Sequence, residues 1–453
     1  MDRSTPPPPG VPGKVGFPRY SEKKLRNGFK IFVIENHSLP IVTIGFVVRG
    51  GSMYDGDRPG LASITSELLT KGTKTRSATE IAEQIDFVGG SLASSASWDA
   101  CQVFVSVLKE YVTVGFDLLE DVVLNPTFPE EEIERVRTQR LASIQQLKAD
   151  SGYLADTKFA EVLFKMHPYG KPPGGTEKSV KELKRSDFRL FHDNLFTPLN
   201  SFIVFAGDIL PKEAEQFSAG VFGKWKRKSK PAAVKSPGAS EPRKGIVIIE
   251  KPDAVQSALR IGHVGIARRN PDYLKVFVMN TLLGGYFSSR INMNLREVHG
   301  YTYGGRSSFD ARTLPGVFEV SADVRNEVTL ETIDEIFAEL NRIVRALPTK
   351  SELEMVKNYL VGLFPIQLET PQQVASRIIV IELFHLPKNY YRDYRSNIRR
   401  VTAAGIRAAA AEYIHPENCA IVLSGNSAEI KNKLKKFGQI QIFDRDGNKL
   451  NDK

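Results

Sequence analysis

Apolar residues along this chain follow two different periods, and the order of those periods occurs twice. In the first half, strand-like apolar runs at 28–35 and 41–51 precede a helical pattern that starts near Leu61. In the second half, comparable runs at 245–251 and 257–267 again precede a helical pattern. The pattern predicts two units that share one order of strands and helices.

The similarity between the halves continues towards their ends. Amphipathic helices entered through Pro and acidic residues are indicated at 126–148 and 347–364. Each half then closes with a helix, a short Pro-containing turn and an apolar strand, at 191–209 and 410–426. We therefore expect an internally duplicated α+β protein with about 200 residues per unit. Duplication of this kind favours a functional surface between the halves, so we expect a clamshell around a central chamber.

Composition marks the boundaries of the two units. Residues 224–245 are rich in Lys, Pro, Ser and Gly and have no apolar period, which is typical of a linker. The first residues are polar and Pro-rich and lack the basic and then apolar order of an export signal. The predicted divisions are a Pro-rich leader at 1–19, a first domain at 20–227, a linker at 228–244, a second domain at 245–430 and a tail at 431–453.

Charge and apolar content exclude two function classes. The chain has 62 basic and 52 acidic residues, a net charge of +10, but neither sign forms the long run that marks a nucleic-acid-binding arm. It has no window of about 18 apolar residues, so no transmembrane helix is expected. The two cysteines, Cys101 and Cys419, stand far apart in sequence and indicate no disulfide framework.

The histidines do not form a local metal motif. A zinc site of the HExxH type, or of its inverse, needs two imidazoles one helical turn apart. No two histidines of this chain lie within three to five residues of each other. They are His37, His167, His192, His263, His299, His385 and His415.

One segment, GLASITSELLTKGT at 60–73, is similar to the zinc-binding helix of the pitrilysin, insulysin and mitochondrial-processing-peptidase family of inverzincin metallopeptidases. The chain resembles the shorter bacterial members of that family from about Tyr20 to Asn426. The family has H-x-x-E-H after the GLA segment and a further Glu ligand farther along the chain. Here the two His positions fall on Ser63 and Glu67, the catalytic Glu position falls on Ser66, and the distal ligand position falls on Ser143, 76 residues after Glu67.

These replacements predict a degenerate site without metal. Zinc in a hydrolase needs about three nitrogen or carboxylate ligands and an open fourth position, and a Ser hydroxyl is too weakly acidic to replace one of them. Glu67 offers a single carboxylate, and without Glu at position 66 no general base activates water. We expect the chain to be inactive alone and its polar helix face to line a cavity or an interface.

The second half resembles the family segment that carries an Arg and a Tyr for the catalytic centre. That segment is 282–309, and the best candidates are Arg296 and Tyr303, seven residues apart, with Arg290 and Tyr301 as rivals. An Arg can donate to a substrate carbonyl, and a Tyr hydroxyl can donate to a developing oxyanion. The alternative is a Tyr packed on a Gly-rich turn and an Arg paired with a nearby acid.

Together these resemblances imply a division of labour. We expect two homologous α/β-roll-like halves, each an antiparallel sheet covered by helices, in the non-catalytic, substrate-binding subunit of a heterodimeric zinc metalloendopeptidase. Zinc is expected in a homologous partner subunit, whose site the Arg and Tyr complete. The alternative is a structural or peptide-binding pseudopeptidase with no catalytic role.

The resemblance also implies a peptide-binding strand and a compartment. An alternating strand in the first half resembles the edge on which family members hold an extended peptide by strand addition. A periplasmic or cell-envelope location is expected because the Pro-rich leader resembles the segment that follows export signals, although no such signal is present in this chain. The expected peptide-binding residues are Ser91, Leu92, Ala93, Ser94 and Ser95.

Overall fold

A computed structural model describes residues 16–226, 228–238 and 245–450. Two sheets, each covered by helices, confirm the predicted α+β class, and the two halves are consistent with a clamshell. The leader expected at 1–19 and the linker expected at 228–244 lie partly outside the described residues. Within the described ranges, no helix combines the length and the apolar character needed to cross a membrane.

The first half forms the first sheet and its helices. Its first long strands begin and end close to the predicted apolar runs. The elements are β1 (Ser21–Lys24), β2 (Lys30–Glu35), β3 (Ile41–Arg49), α1 (Leu61–Leu68), α2 (Ala78–Phe87), β4 (Ser91–Ala96), β5 (Ala100–Leu108), α3 (Val112–Leu124), α4 (Glu130–Leu147), α5 (Ser151–Phe164), α6 (Glu177–Glu182), α7 (Arg185–Leu195), β6 (Ser201–Gly207) and α8 (Pro211–Phe222).

The second half forms the second sheet in the same order. The segment expected to be a tail, 431–453, instead adds two strands to this sheet, because the alternating QIQIF run pairs with the strand at 245–250. The elements are β7 (Gly245–Glu250), β8 (Gln256–Val264), α9 (Tyr273–Asn280), α10 (Arg290–Asn292), β9 (Thr302–Asp310), β10 (Val317–Arg325), α11 (Thr329–Arg345), α12 (Lys350–Ile366), α13 (Pro371–Leu383), α14 (Tyr394–Arg400), α15 (Ala403–Tyr413), β11 (Ala420–Gly425), α16 (Ser427–Leu434), β12 (Gln439–Phe443) and β13 (Lys449–Leu450).

Strand pairing shows the duplication directly. The first sheet has the order β1-β2-β6-β3-β5-β4, and the second has β13-β12-β7-β11-β8-β10-β9. The closing strand of each half, β6 or β11, inserts parallel to the opening strand and antiparallel to the next one. Each sheet is therefore mixed rather than purely antiparallel, because a strand that returns after a helix can pair in parallel. Strands β4 and β9 occupy equivalent outer edges.

The central strands of each sheet are buried on both faces, and the second face is covered by a helix from the other half. Helix α13 packs on β3 and β6 of the first sheet, and α5 packs on β8 and β11 of the second. The remaining helices cover the opposite face of their own sheet. This reciprocal exchange explains why the central strands read as continuous apolar runs rather than alternating ones.

Ion pairs hold both exchanged helices to their sheets. Glu382 of α13 accepts a hydrogen bond from Lys30 at 2.9 Å and pairs with Arg49. Asp156 of α5 pairs with Arg260 of β8. Glu382 is the buried carboxylate of the two, and removing one partner of a buried pair costs about 3–5 kcal/mol, because it leaves a charge without compensation.

The two hairpin turns beside the edge strands contact each other. Asp99, in the turn between β4 and β5, accepts hydrogen bonds from the Tyr169 hydroxyl at 3.0 Å and from the Thr313 backbone at 3.1 Å. Arg312, in the turn between β9 and β10, lies 4.2 Å from the Trp98 ring centre and 4.6 Å from that of Tyr169. Strands β4 and β9 therefore end at one junction.

Candidate functional site

Helix α1, which carries three of the degenerate metal positions, is anchored at its N-terminus by a buried carboxylate. Asp55 accepts hydrogen bonds from the backbone of Gly60 at 2.9 Å and of Ala62 at 2.8 Å. Burial raises the pKa of Asp55 to about 8, against the effect of those two bonds. Gly60 has φ +94°, and a side chain there would meet Gly175 at 2.8 Å. The start of α1 is therefore fixed by local geometry.

The three positions on α1 share one helix face, because residues three and four apart are neighbours on a helix, but they differ in burial. Ser66 is fully buried in the first core beside Cys101, and burial raises the pKa of that thiol to about 12. Ser63 and Glu67 are half-buried. Glu67 is bound by Arg140 of α4 at 2.7 Å.

The structure brings Arg140, rather than Ser143, to α1. Ser143 lies exposed on α4, and its neighbour Ile144 is the buried residue. A cation at Glu67 would compete with the guanidinium of Arg140, and no other carboxylate, thiolate or imidazole in the described part of the chain completes a ligand set. Within the described ranges, no group of three or more His, Cys, Asp or Glu side chains could hold a metal. The residues present therefore do not fit zinc.

Strand β4 lies against α1 and forms the edge of the first sheet. It pairs with β5 on one side only, so the backbone groups on its outer side have no strand partner within the described ranges. Its side chains alternate: Ser91, Ala93 and Ser95 are exposed, whereas Leu92 and Ser94 are half-buried. This is the geometry that strand addition by an extended peptide requires.

The Arg/Tyr segment is built on two π-helical turns, at Thr281–Gly285 and Met293–Val298. π-helical turns are rare in proteins overall, and those that occur are frequently located at functional sites. The first turn packs closely on β9, because a side chain on Gly284 would meet the Ser307 nitrogen at 2.3 Å. Asn280 donates to the Ser307 carbonyl at 3.0 Å and accepts from its hydroxyl at 2.8 Å.

Burial separates the favoured pair from its rivals. Tyr303 is 89% exposed on β9. Arg296, seven residues earlier on the second π-helical turn, is also exposed. Arg290 is buried and donates two hydrogen bonds to Glu352, at 2.8 and 3.1 Å, which lower the pKa of that carboxyl to about 2. Tyr301 is half-buried and packs on the second core. Arg296 and Tyr303 are therefore more exposed than Arg290 and Tyr301.

Arg296 also makes the local ion pair that the alternative reading expects. It lies 3.2 Å from Glu297, and its guanidinium sits 4.8 Å from the ring centre of Phe287. The pair with Glu297 is solvent-exposed on both sides, so it holds Arg296 only weakly.

Sequence reasoning missed two features of this site. One is Arg140, which no motif marks and which neutralises Glu67. The other is the apolar surface around Arg296, formed by Phe287, Met293 and Val298, all exposed. The sequence signal for the apolar surface was Phe287, an apolar residue in the Gly- and Ser-rich run before α10, where loop residues are ordinarily polar.

Comparison with family models covers most of both halves. Residues 30–177 match a model described as insulinase, peptidase family M16, and residues 182–360 match one described as the peptidase M16 inactive domain. The match thus includes both the α1 region and the Arg/Tyr segment.

Relatives and solved structures extend the similarity over nearly the whole chain. A protein of Helicobacter pylori named non-peptidase homolog YmxG is 27% identical over 83% of this chain and 87% of its own length. An uncharacterized zinc protease of Rickettsia bellii is 27% identical over 82% of this chain and 87% of its own. The crystal structure of a peptidase M16 inactive domain from Pseudomonas fluorescens is 25% identical, with a TM-score of 0.85 over 90% of this chain and 98% of its own.

A protease structure from Helicobacter pylori, at 19% identity and a TM-score of 0.82 over 90% of this chain and all of its own, shares the fold. The solved structures agree with the duplicated fold. The inactive-domain model and the name of the non-peptidase homolog are consistent with a non-catalytic member. The chain belongs to peptidase family M16.

Proposed function

We propose that this chain is the non-catalytic, substrate-binding subunit of a heterodimeric zinc metalloendopeptidase. The observation that carries the proposal is a contrast within one molecule. At α1 the remaining carboxylate, Glu67, is bound to Arg140, whereas Arg296 is exposed on the second π-helical turn and Tyr303 is exposed on β9. The zinc belongs to a homologous partner subunit, and this chain supplies the second part of the site.

The chemistry of the two side chains suits that role. Zinc held by the partner polarises the scissile carbonyl and the attacking water. The Tyr303 hydroxyl donates a hydrogen bond to the oxygen that gains negative charge, and the Arg296 guanidinium holds a neighbouring peptide carbonyl. Both interactions strengthen when the partner excludes water from them, and the exposed Phe287 and Val298 provide apolar surface for that contact.

Strand β4 would hold the peptide. Its exposed side chains, Ser91, Ala93 and Ser95, are small, so they leave room for the side chains of an added strand. Recognition then rests on backbone hydrogen bonds and imposes little side-chain specificity.

The test is reconstitution with a zinc-bearing homologous subunit and a fluorogenic peptide. We expect cleavage only by the mixture. Replacing Tyr303→Phe should lower kcat by about 10² to 10³, the effect of losing one donor to an oxyanion. Replacing Arg296→Ala should lower kcat/KM, because the neighbouring peptide carbonyl loses its donor. Arg306→Ala, an exposed arginine on the same strand β9, is the matched control and should leave kcat unchanged. Full activity with Arg296→Ala would refute the assignment.

The alternative, a structural or peptide-binding pseudopeptidase, is favoured by the Glu67–Arg140 ion pair and by the name of the Helicobacter pylori relative. It predicts no cleavage with any partner. A peptide should still slow hydrogen exchange at the backbone amides of β4, whereas amides of α2 stay unaffected. Exchange protection without activity would select this function over the first.

We also propose a periplasmic or cell-envelope location, supported by the resemblance of the Pro-rich leader to segments that follow export signals. Cell fractionation with an antibody against this chain tests it. Recovery with cytoplasmic marker proteins would contradict the proposal.

A further inference from the structure

A cavity of about 370 Å³ lies where α9, α13 and α14 meet the end of β9. Eight aromatic side chains line it, among them Tyr273, Tyr390 and Tyr394. Asp310, at the end of β9, also lines it, and seven residues of strand separate Asp310 from Tyr303, a span of roughly 20 Å. The cavity is therefore separate from the Arg/Tyr segment, and its volume falls in the usual range for small-ligand sites.

A buried guanidinium lines this cavity and has no carboxylate partner among the described residues. Arg268 is 8% exposed, and its guanidinium lies 3.6 Å from the ring centre of Tyr273 and 4.9 Å from that of Tyr390. Its Nη2 donates to the Tyr390 hydroxyl at 3.0 Å, and its Nη1 is buried with no acceptor within the described ranges. Cation–π contacts offset only part of the cost of burying a charge that has no charged partner.

A second arginine adds to the positive charge. Arg377 of α13 donates through Nη2 to the Gln367 side chain at 2.7 Å, and its Nε is buried without an acceptor in the described part of the chain. The carboxylate that lines the cavity, Asp310, accepts a hydrogen bond from Arg312 at 2.7 Å. Two guanidinium groups thus keep unused donors in an aromatic cavity whose acid is already engaged.

We propose that this cavity binds a carboxylate attached to an apolar group of aromatic size, the chemistry that the C-terminal residue of a peptide presents. A planar guanidinium matches a carboxylate with two parallel hydrogen bonds. The aromatic walls suit an apolar body, whereas a bare inorganic anion would leave most of them without contact. The site uses neither zinc nor a partner subunit, so it stands apart from the proposed peptidase role.

The test uses the full chain and isothermal titration calorimetry with three probes: N-acetylphenylalanine, its amide, and inorganic phosphate. We expect the acid to bind at least about tenfold more tightly than the amide, the difference that one charge-assisted hydrogen bond makes. Phosphate should bind more weakly than the acid. Equal affinity for acid and amide, tighter binding of phosphate, or no binding of the acid at millimolar concentration would each overturn the proposal.

Variants assign the binding to the two arginines. Arg268→Gln should abolish the preference for the acid, and Arg377→Gln should weaken it. Because Arg268 is buried, Arg268→Gln is used only if its circular dichroism matches that of the parent chain. If it does not match, Arg377→Gln alone decides whether the arginines bind the carboxylate. Arg306→Gln, an exposed arginine away from the cavity, is the control and should retain the preference. An unchanged preference in Arg377→Gln would also contradict the site.

Discussion

Arg140 decides the chemistry at Glu67. Its guanidinium donates a hydrogen bond to the carboxylate at 2.7 Å and already compensates its charge. Ser63 and Ser66 offer only hydroxyl groups. A metal ion at α1 would therefore have one carboxylate ligand, Glu67, and would be repelled by the positive charge of Arg140. The loss of metal binding thus depends on a residue outside the helix as well as on those within it.

We therefore expect the purified chain, dialysed against zinc and then against buffer, to retain no stoichiometric metal. Glu67→Gln should not alter this result, and it should change the free energy of unfolding by less than about 1 kcal/mol, because the ion pair is partly exposed. Metal analysis and urea unfolding measure the two effects. One zinc per chain that disappears in Glu67→Gln would contradict the proposed role of Arg140.

His263 makes stability depend on pH. Its ring is buried between Phe318 and His415, and its Nε2 accepts a hydrogen bond from the His415 backbone at 3.1 Å. Burial lowers its pKa to about 4, whereas an imidazole in an unfolded chain has a pKa of about 6.5. The unfolded state binds more protons between these values, so stability falls as pH falls from about 6.5 to 4.

Replacing His263→Gln should remove up to about 3 kcal/mol of that loss, the product of the pKa difference and about 1.4 kcal/mol per unit. Urea unfolding at pH 6.5 and pH 4 measures it in both chains. Asp55 acts in the opposite direction, because its raised pKa makes its contribution decline as pH rises from about 4 to 8. Comparing parent and variant at the same pH cancels the contribution of Asp55. If both chains lost the same free energy of unfolding between pH 6.5 and pH 4, His263 would not be the cause of the pH dependence.

At the scale of elements, the exchange of α5 and α13 ties the halves together. Glu382 of α13 is mostly buried between Lys30 and Arg49, whereas Asp156 of α5 is half-exposed beside Arg260. Solvent compensates an exposed charge more readily than a buried one, so the two helices differ in how much they depend on their ion pair.

Glu382→Gln should consequently lower the free energy of unfolding by about 3 kcal/mol, because two cations lose their shared carboxylate. Asp156→Asn is the matched change on the other exchanged helix and should cost about 1 kcal/mol or less. Urea unfolding measures both. Equal losses would show that burial at α13 does not set the cost.

The packing of α5 and α13 on the sheet of the other half separates the features that the sequence could predict from those that it could not. Continuous apolar runs at β3 and β8 predicted strands, because both of their faces are buried. No helix was expected at 371–383, and the apolar positions of α13 carry no information on which sheet they cover. Likewise, the spacing of Arg296 and Tyr303 did not exclude Arg290 and Tyr301. Only the pairing of Arg290 with Glu352 and the packing of Tyr301 separate them.

At the scale of the whole molecule, the proposed heterodimer must cover the apolar surface around Arg296. Phe287 is 60% exposed and contacts the Arg296 guanidinium, so a partner whose zinc site receives Arg296 also buries Phe287. Phe87, 90% exposed on α2 of the first half, is a matched aromatic residue outside that surface.

Replacing Phe287→Ser should weaken binding of the zinc-bearing subunit about 10- to 100-fold, since burying a large apolar side chain contributes about 1.5–3 kcal/mol. Phe87→Ser should leave the affinity unchanged. Both side chains are exposed in the single chain, so neither change should lower its free energy of unfolding appreciably, and a loss of affinity cannot then be ascribed to misfolding. Titration of the labelled partner with each variant measures the Kd. If Phe87→Ser weakened binding while Phe287→Ser did not, the partner would dock on the first half, and Arg296 and Tyr303 could not reach its zinc.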